Sequence, residues 1–231
     1  MISTHIPKYE ENKMVRCTDC HVWACRTAEH DKLPTEGFCP MRIHEEALAK
    51  AREKYNDPTT RKFSQTAAKI EAAGYCEWSR LEETIEFARS LGVHKIGIAF
   101  CLGLRREAAV LARIYSENGF EVSSVGCKCG SIPKEEIGLK DEDKLHPGEL
   151  EILCNPVGQA EVLNAEETGL NVIVGLCVGH DSLFIKNSKA FVTCLIAKDR
   201  VLVHNPVGAI YAHQSYYQSK LYEKHKLDNQ D

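Results

Sequence analysis

Eleven cysteines stand in this chain of 231 residues, and their spacing carries the chemistry. The first four form Cys17-x-x-Cys20-x4-Cys25-x13-Cys39-Pro40. Two thiolates three positions apart can grip one metal while the turn between them points backbone amides at the sulfurs, so zinc ribbons and iron-sulfur loops both use this spacing. Four donors are enough to close a tetrahedral ion site or to hold a cubane. His21, His30 and His44 are substitute ligands, although scattered histidines are more often solvated.

A second set is read from position. Cys101 ends one expected strand before Gly103, and Cys177 ends another before Gly179. Cys127 and Cys129 follow the strand that lies between those two in sequence. Cys154 stands directly before Asn155-Pro156, at the entrance to an expected helix whose dipole favours a thiolate. Five thiols from four segments are thus expected at one edge of a sheet. Cys76 and Cys194 are read as ordinary core cysteines, since cysteine behaves as a small hydrophobe.

Other candidates are weaker. Asn155-Pro156-Val157-Gly158 recurs as Asn205-Pro206-Val207-Gly208, preceded once by Cys154 and once by His204. His204 is therefore a candidate site residue, against the plainer reading of one N-cap used twice. His180 and Asp181, beside Ser182, could give a proton donor or hydrogen bonds to a bound group, or simply cap a helix. The glycines form neither G-x-G-x-x-G nor a Walker loop, so no dinucleotide or ATP is expected.

The elements that must position these residues are an α/β alternation. Glu45–Tyr55 reads as a helix, and Asn56-Asp57-Pro58 as a stop and a domain boundary, giving a cysteine-rich segment 1–58 and an α/β domain 59–231. Helices are expected over Thr60–Ala73 and from a Ser79/Glu82 capping box to Leu91, closed by Gly92. Strands are expected at Lys95–Cys101, Phe120–Gly126, Asn171–Cys177 and Ala190–Ala197, the last paired with Arg200–Val203. Helices are expected over Arg105–Asn118, from Asn155 to Thr168, over Ser182–Lys186 and for about ten residues after Pro206. Ser131–Glu151 is a charged excursion, and the tail from Lys220 is polar. The fold class is a mostly parallel three-layer sheet with helices on both faces, preceded by a small metal-stapled segment. Such sheets bind ligands beyond the carboxyl ends of the strands.

Composition narrows the classes further. The hydrophobic share is 43%, the charged share 27% and the net charge −4, an ordinary globular balance without the basic stripe that holds nucleic acid. The longest apolar runs are far shorter than the 18 or so residues that span a bilayer. Met1–Tyr9 shows neither an apolar stretch nor a small-residue cleavage site, so a cytoplasmic location is expected, where clustered thiols mean metal or redox chemistry.

Cys17-x-x-Cys20 with Cys39-Pro40, Cys154-Asn155-Pro156 with Gln159-Ala160, Gly175-Leu176-Cys177-Val178-Gly179-His180-Asp181, Lys198-Asp199-Arg200 and His204-Asn205-Pro206 together carry a resemblance. The chain resembles a family of uncharacterised cysteine-rich proteins, taken for metal binders and common in anaerobic bacteria and methanogenic archaea. The resemblance implies metal binding and an anaerobic setting, and no reaction. Thiol ligation admits zinc or iron-sulfur clusters; zinc accounts for the first four cysteines, whereas iron-sulfur chemistry accounts for both sets. One expectation is an iron-sulfur protein with redox or sulfur-transfer activity on a small molecule or with an electron-transfer partner, in which three of the five sheet-edge cysteines would leave one iron open. The other is a non-catalytic zinc-binding, sensing or sequestering module. An exchange pair of Cys127 and Cys129 is disfavoured, because one intervening residue strains a disulfide.

Overall fold

The structure, a computed structural model, describes residues 14–35 and 37–222. The readings of Met1–Tyr9 and of the tail past Tyr222 lie outside them. The chain divides into two compact units, one ending at Gln65 and the other beginning at Thr66.

The N-terminal unit is built of turns. Three single 3-10 turns, Cys17–Asp19, Ala24–Arg26 and His30–Lys32, precede α1 (Pro40–Ile43) and α2 (Glu45–Lys54). Among the described residues its apolar core is Ala24, Leu33 and Cys39, with Met41 packed against them. A core this small cannot offset the ordering of so many turns by burial alone, so other ties are needed. Arg42 supplies one, donating through Nε to the Pro34 carbonyl at 2.7 Å and through Nη2 to the Leu33 carbonyl at 2.9 Å. Helix α3 (Pro58–Gly74) starts two residues before the expected Thr60. The cause is Asp57, whose carboxylate accepts from the Thr60 amide at 2.7 Å, with Pro58 in the first turn.

The second unit carries the sheet. Helix α4 (Arg80–Leu91) opens on the expected Ser79/Glu82 capping box and ends at Gly92, left-handed at φ 77°. There follow β1 (Lys95–Phe100), α5 (Arg105–Glu117), β2 (Glu121–Gly126), α6 (Pro156–Ala165), β3 (Leu170–Val174), α7 (His180–Asn187), β4 (Phe191–Ile196), α8 (Val207–Tyr211) and α9 (Gln218–Tyr222). The strands are all parallel, in the order β2-β1-β3-β4.

Period-two burial gives each strand two working faces. Ile96, Ile98, Val172 and Val174 pack with Ile85 of α4 and with Leu111 and Tyr115 of α5. Ala99 and Ile173 pack with Ala160 and Leu163 of α6 and Phe184 of α7. Helices thus cover both faces, as the apolar runs of β1 and β3 require of parallel strands. Between β1 and β3 the backbones approach closely at Gly97, where a Cβ would fall 2.0 Å from Asn171 Oδ1. Asn171 is fully buried and cannot move aside: its Oδ1 accepts from Thr168 Oγ1 at 2.7 Å and its Nδ2 donates to Ser188 Oγ at 2.8 Å.

The order also locates the crevice. From β1 the chain proceeds to β2 on one side, and from β3 to β4 on the other, so the switch point lies between the carboxyl ends of β1 and β3. Strand β4 is a margin of the sheet, and there Arg80 donates through Nε to the Cys194 carbonyl at 3.0 Å and through Nη2 to Thr193 Oγ1 at 3.0 Å.

Several expectations are corrected. Arg200–Val203 is not a strand but part of a turn, because Asp199 Oδ1 accepts from the Val201 and Leu202 amides and the Asp199 carbonyl accepts from the His204 amide. Val203 and His204 are left-handed in it, at φ 52° and 61°. Helix α6 stops at Ala165 rather than Thr168, since Glu167 turns to φ 53°. The helix after Pro206 is half the expected length, Val207–Tyr211, and lacks a side-chain cap. Lys220 falls inside α9 rather than opening a tail. Cys76 and Cys194 are exposed rather than core residues.

The excursion 131–151 is pinned by ion pairs. Lys134 Nζ lies 2.5 Å from Glu151, and Lys144 Nζ lies 2.5 Å from Glu135 and 3.0 Å from Asp141. These neighbours hold the carboxyls of Glu151, Glu135 and Asp141 below their ordinary values, Asp141 chiefly through the Gly148 amide.

Candidate thiol sites

Each cysteine set gathers in its own unit. Cys17 and Cys20 are joined by one turn, the Cys20 amide donating to the Cys17 carbonyl at 3.2 Å. Cys25 sits in the next turn, entered through Trp23 at φ 53°, and Cys39 is the N-cap of α1 with Pro40 behind it. All four line one cavity of about 90 Å³, whose other walls include Trp23, Leu33, Phe38 and Met41. Cys39 is buried, Cys20 half-buried, and Cys17 and Cys25 are exposed. His21, His30 and His44 do not line it.

In the second unit Cys101, Cys127, Cys154 and Cys177 line one pocket with Gln159 and His180. Cys101 follows β1 and Cys177 follows the end of β3, so they flank the switch point. Cys127 follows β2, and Cys154 precedes Asn155, the N-cap whose Oδ1 accepts from the Gly158 amide at 2.8 Å. The Asn205 phrase is not its structural copy, since α8 has no such cap. This pocket holds about 10 Å³, room for about one water. Cys129 stands beside it rather than in its wall, with Sγ 3.9 Å from the Asn155 carbonyl.

The charge around these thiols is uneven. The Cys127 thiol and the Cys154 sulfur share a hydrogen bond that favours negative charge on Cys154, and Lys128 and His180 add to it. The Cys154 thiol is thereby held well below its ordinary range, while the same bond and burial push Cys127 up. Burial also raises Cys129. Arg200 donates through Nη2 to Cys177 Sγ at 3.1 Å. Lys198 Nζ lies 3.3 Å from where a Gly103 Cβ would stand, a point itself 3.8 Å from Cys101 Sγ.

Sequence reasoning did not single out Gln159, Arg200 or Lys198 as site residues. Gln159 is fully buried, and its Nε2 donates to the Phe100 carbonyl at 3.2 Å and the Val125 carbonyl at 2.7 Å. Its Oε1 is left without a partner. The signal available in sequence was a glutamine on the apolar face of a helix, where only a polar task explains it.

The remaining candidates are placed as follows. His180 reaches the pocket. Asp181 accepts from the Ser182 amide at 2.8 Å in the first turn of α7, and does not line the pocket. His204 Nδ1 accepts from the Asp199 amide at 3.1 Å, which ties it to its own turn. Among the described residues no three His, Cys, Asp or Glu side chains are close enough to hold one metal ion. No helix among them is long and apolar enough to cross a membrane.

The fold and sites define an α/β protein with thiols gathered at the switch point of a parallel sheet, preceded in sequence by a cysteine-rich turn unit. The chain belongs to the family described as a protein of unknown function (DUF1847), whose match covers residues 39–195. It is also 45% identical over 209 residues to the uncharacterised protein MJ0455 of Methanocaldococcus jannaschii, covering 90% of this chain and 99% of that one.

Proposed function

We propose that this is a metal-thiolate protein whose Cys17, Cys20, Cys25 and Cys39 hold an iron-sulfur cluster, and whose sheet-edge thiols act on a small molecule by redox or sulfur-transfer chemistry. The observation that carries the reading is that all four spaced thiols line one largely apolar cavity of about 90 Å³. The donor set fits the group. Thiolate sulfur suits iron-sulfur clusters and zinc alike, but one zinc draws its sulfurs to about 2.3 Å, and a cluster spreads the same four sulfurs further apart. Iron-sulfur chemistry also accounts for thiols gathered in both units, whereas one zinc accounts only for the first four.

When bound, the cluster supplies one-electron chemistry in an apolar surround, where burial and hydrogen bonds to sulfur set its potential. The chain's own contribution is to orient the four thiols. Arg42 fixes the Leu33–Pro34 wall, and Trp23 and Phe38 add aromatic surface to the lining. At the sheet edge, Arg200 places positive charge beside Cys177, and His180 lines the same pocket as Cys154.

The test is iron, zinc and acid-labile sulfide analysis on protein purified without oxygen. About four irons with matching sulfide per chain are expected, falling away in a Cys17→Ser/Cys20→Ser double variant. About one zinc without sulfide would replace the reading by a non-catalytic zinc module.

A further inference from the structure

Residues 127–129 and 152–155 are laced together more tightly than two loops require. The Asn155 amide donates to the Cys127 carbonyl at 2.7 Å, Asn155 Nδ2 donates to the Cys129 carbonyl at 3.1 Å, and Lys128 Nζ donates to the Ile152 carbonyl. These ties hold the loop of Cys127 against the loop of Cys154, and both thiols stand in the wall of one pocket of about 10 Å³. Nothing larger than about one water fits there.

The two thiols are unequal. Cys127 is only 3% exposed, and the Leu102 amide donates to its sulfur at 3.5 Å. Cys154 is half-buried and stands at the start of the ten-residue helix α6. One thiol can be reached from outside while the other waits behind it, the arrangement that thiol-disulfide exchange uses.

We propose that Cys127 and Cys154 form a reversible dithiol-disulfide centre that reduces low-molecular-weight disulfides, with Cys154 attacking and Cys127 resolving. The proposal rests on the small-molecule redox part of the reading above and is independent of the metal at Cys17–Cys39. The Cys154 sulfur attacks one sulfur of the substrate disulfide, whose S–S bond breaks and releases the first thiolate. Cys127 then gives its proton to solvent and attacks Cys154 Sγ, expelling the second thiolate. Two electrons pass from the protein dithiol to the substrate. The Leu102 amide faces the sulfur that must carry charge in the second step.

The full-length protein is reduced without oxygen, treated with glutathione disulfide, alkylated with iodoacetamide and digested for mass spectrometry. A peptide pair linked through Cys127 and Cys154 is expected. Cys127→Ser should accumulate glutathione on Cys154, and Cys154→Ser should slow glutathione release about tenfold or more. No linkage, or linkage through Cys101, Cys129 or Cys177, overturns the proposal; the wild-type map decides this even where a variant fails to fold. Metal analysis of the same samples separates the two readings. Normal metal without the link overturns only the dithiol centre, and the link without metal overturns only the N-terminal cluster.

Discussion

Cys154 is the residue at which most of the local chemistry meets. Its low-lying thiol is set first by the Cys127 hydrogen bond and then by Lys128 and His180, with burial opposing. An ordinary thiol titrates near 8.5 and is mostly protonated at neutral pH. Cys154 should therefore be carboxymethylated at pH 6, where Cys127 and Cys129 stay unlabelled. Peptide mapping after short iodoacetate pulses from pH 5 to 9 checks this, and equal labelling of Cys154 and Cys129 at pH 6 would refute the asymmetry. The position of Cys154 was readable in advance, because Asn155-Pro156 announces a helix start. That it would meet the thiols after β2 at the sheet edge was expected too, but not that Cys127 rather than Cys129 would share its pocket, since that depends on contacts remote in sequence. Gln159 was missed for the same reason: its two acceptors, Phe100 and Val125, belong to strands remote from it in sequence.

At the scale of elements, capping and closing residues were the most legible features, because their partners are local. Ser79, Glu82, Gly92 and Asn155 all act as their types suggest. The misread segment is Arg200–Val203, whose valines and leucine promise a strand. Asp199 wins instead by offering one carboxylate oxygen to two amides, so Val203 is left 87% exposed and left-handed. A β-branched residue at positive φ costs about 1–2 kcal/mol. Val203→Gly should accordingly raise stability by up to about 1 kcal/mol, allowing for glycine's extra chain entropy, as read by urea denaturation. Gly97→Ala should do the reverse, since its methyl would meet Asn171 Oδ1 in a close-packed seam. A loss of about 2–3 kcal/mol is expected, and an unchanged midpoint would show that β1 and β3 separate more readily than their packing implies.

Across the whole molecule the two units are held together by different means. Among the described residues the sheet unit has two apolar cores, one on each face, whereas the N-terminal unit buries only Ala24, Leu33, Pro34 and Cys39. The fold class was legible because strand and helix periods alternate cleanly from Lys95 onward. The N-terminal unit was legible only as cysteine spacing, since turns lack a period. Acid should act first on the excursion 131–151. Glu151, Glu135 and Asp141 have lowered folded values, so their contribution is complete above the ordinary carboxylate range and is lost as pH falls through those lowered values. Amide exchange, corrected for intrinsic rate, should show 131–151 opening by pH 3 while β1 and β3 stay protected. Equal protection at pH 7 and pH 3 would mean that the ion pairs do not hold it.

Arg80 has a bearing on how many such molecules can share a solution. A parallel sheet that ends in a bare strand offers its neighbours a template, and each added chain presents the same template again. At β4 the guanidinium already occupies the Cys194 carbonyl and the Thr193 hydroxyl. A strand arriving from another molecule would have to evict a charged group before gaining its first hydrogen bond there. One arginine at the head of a helix thus makes strand addition at this margin of the sheet costlier.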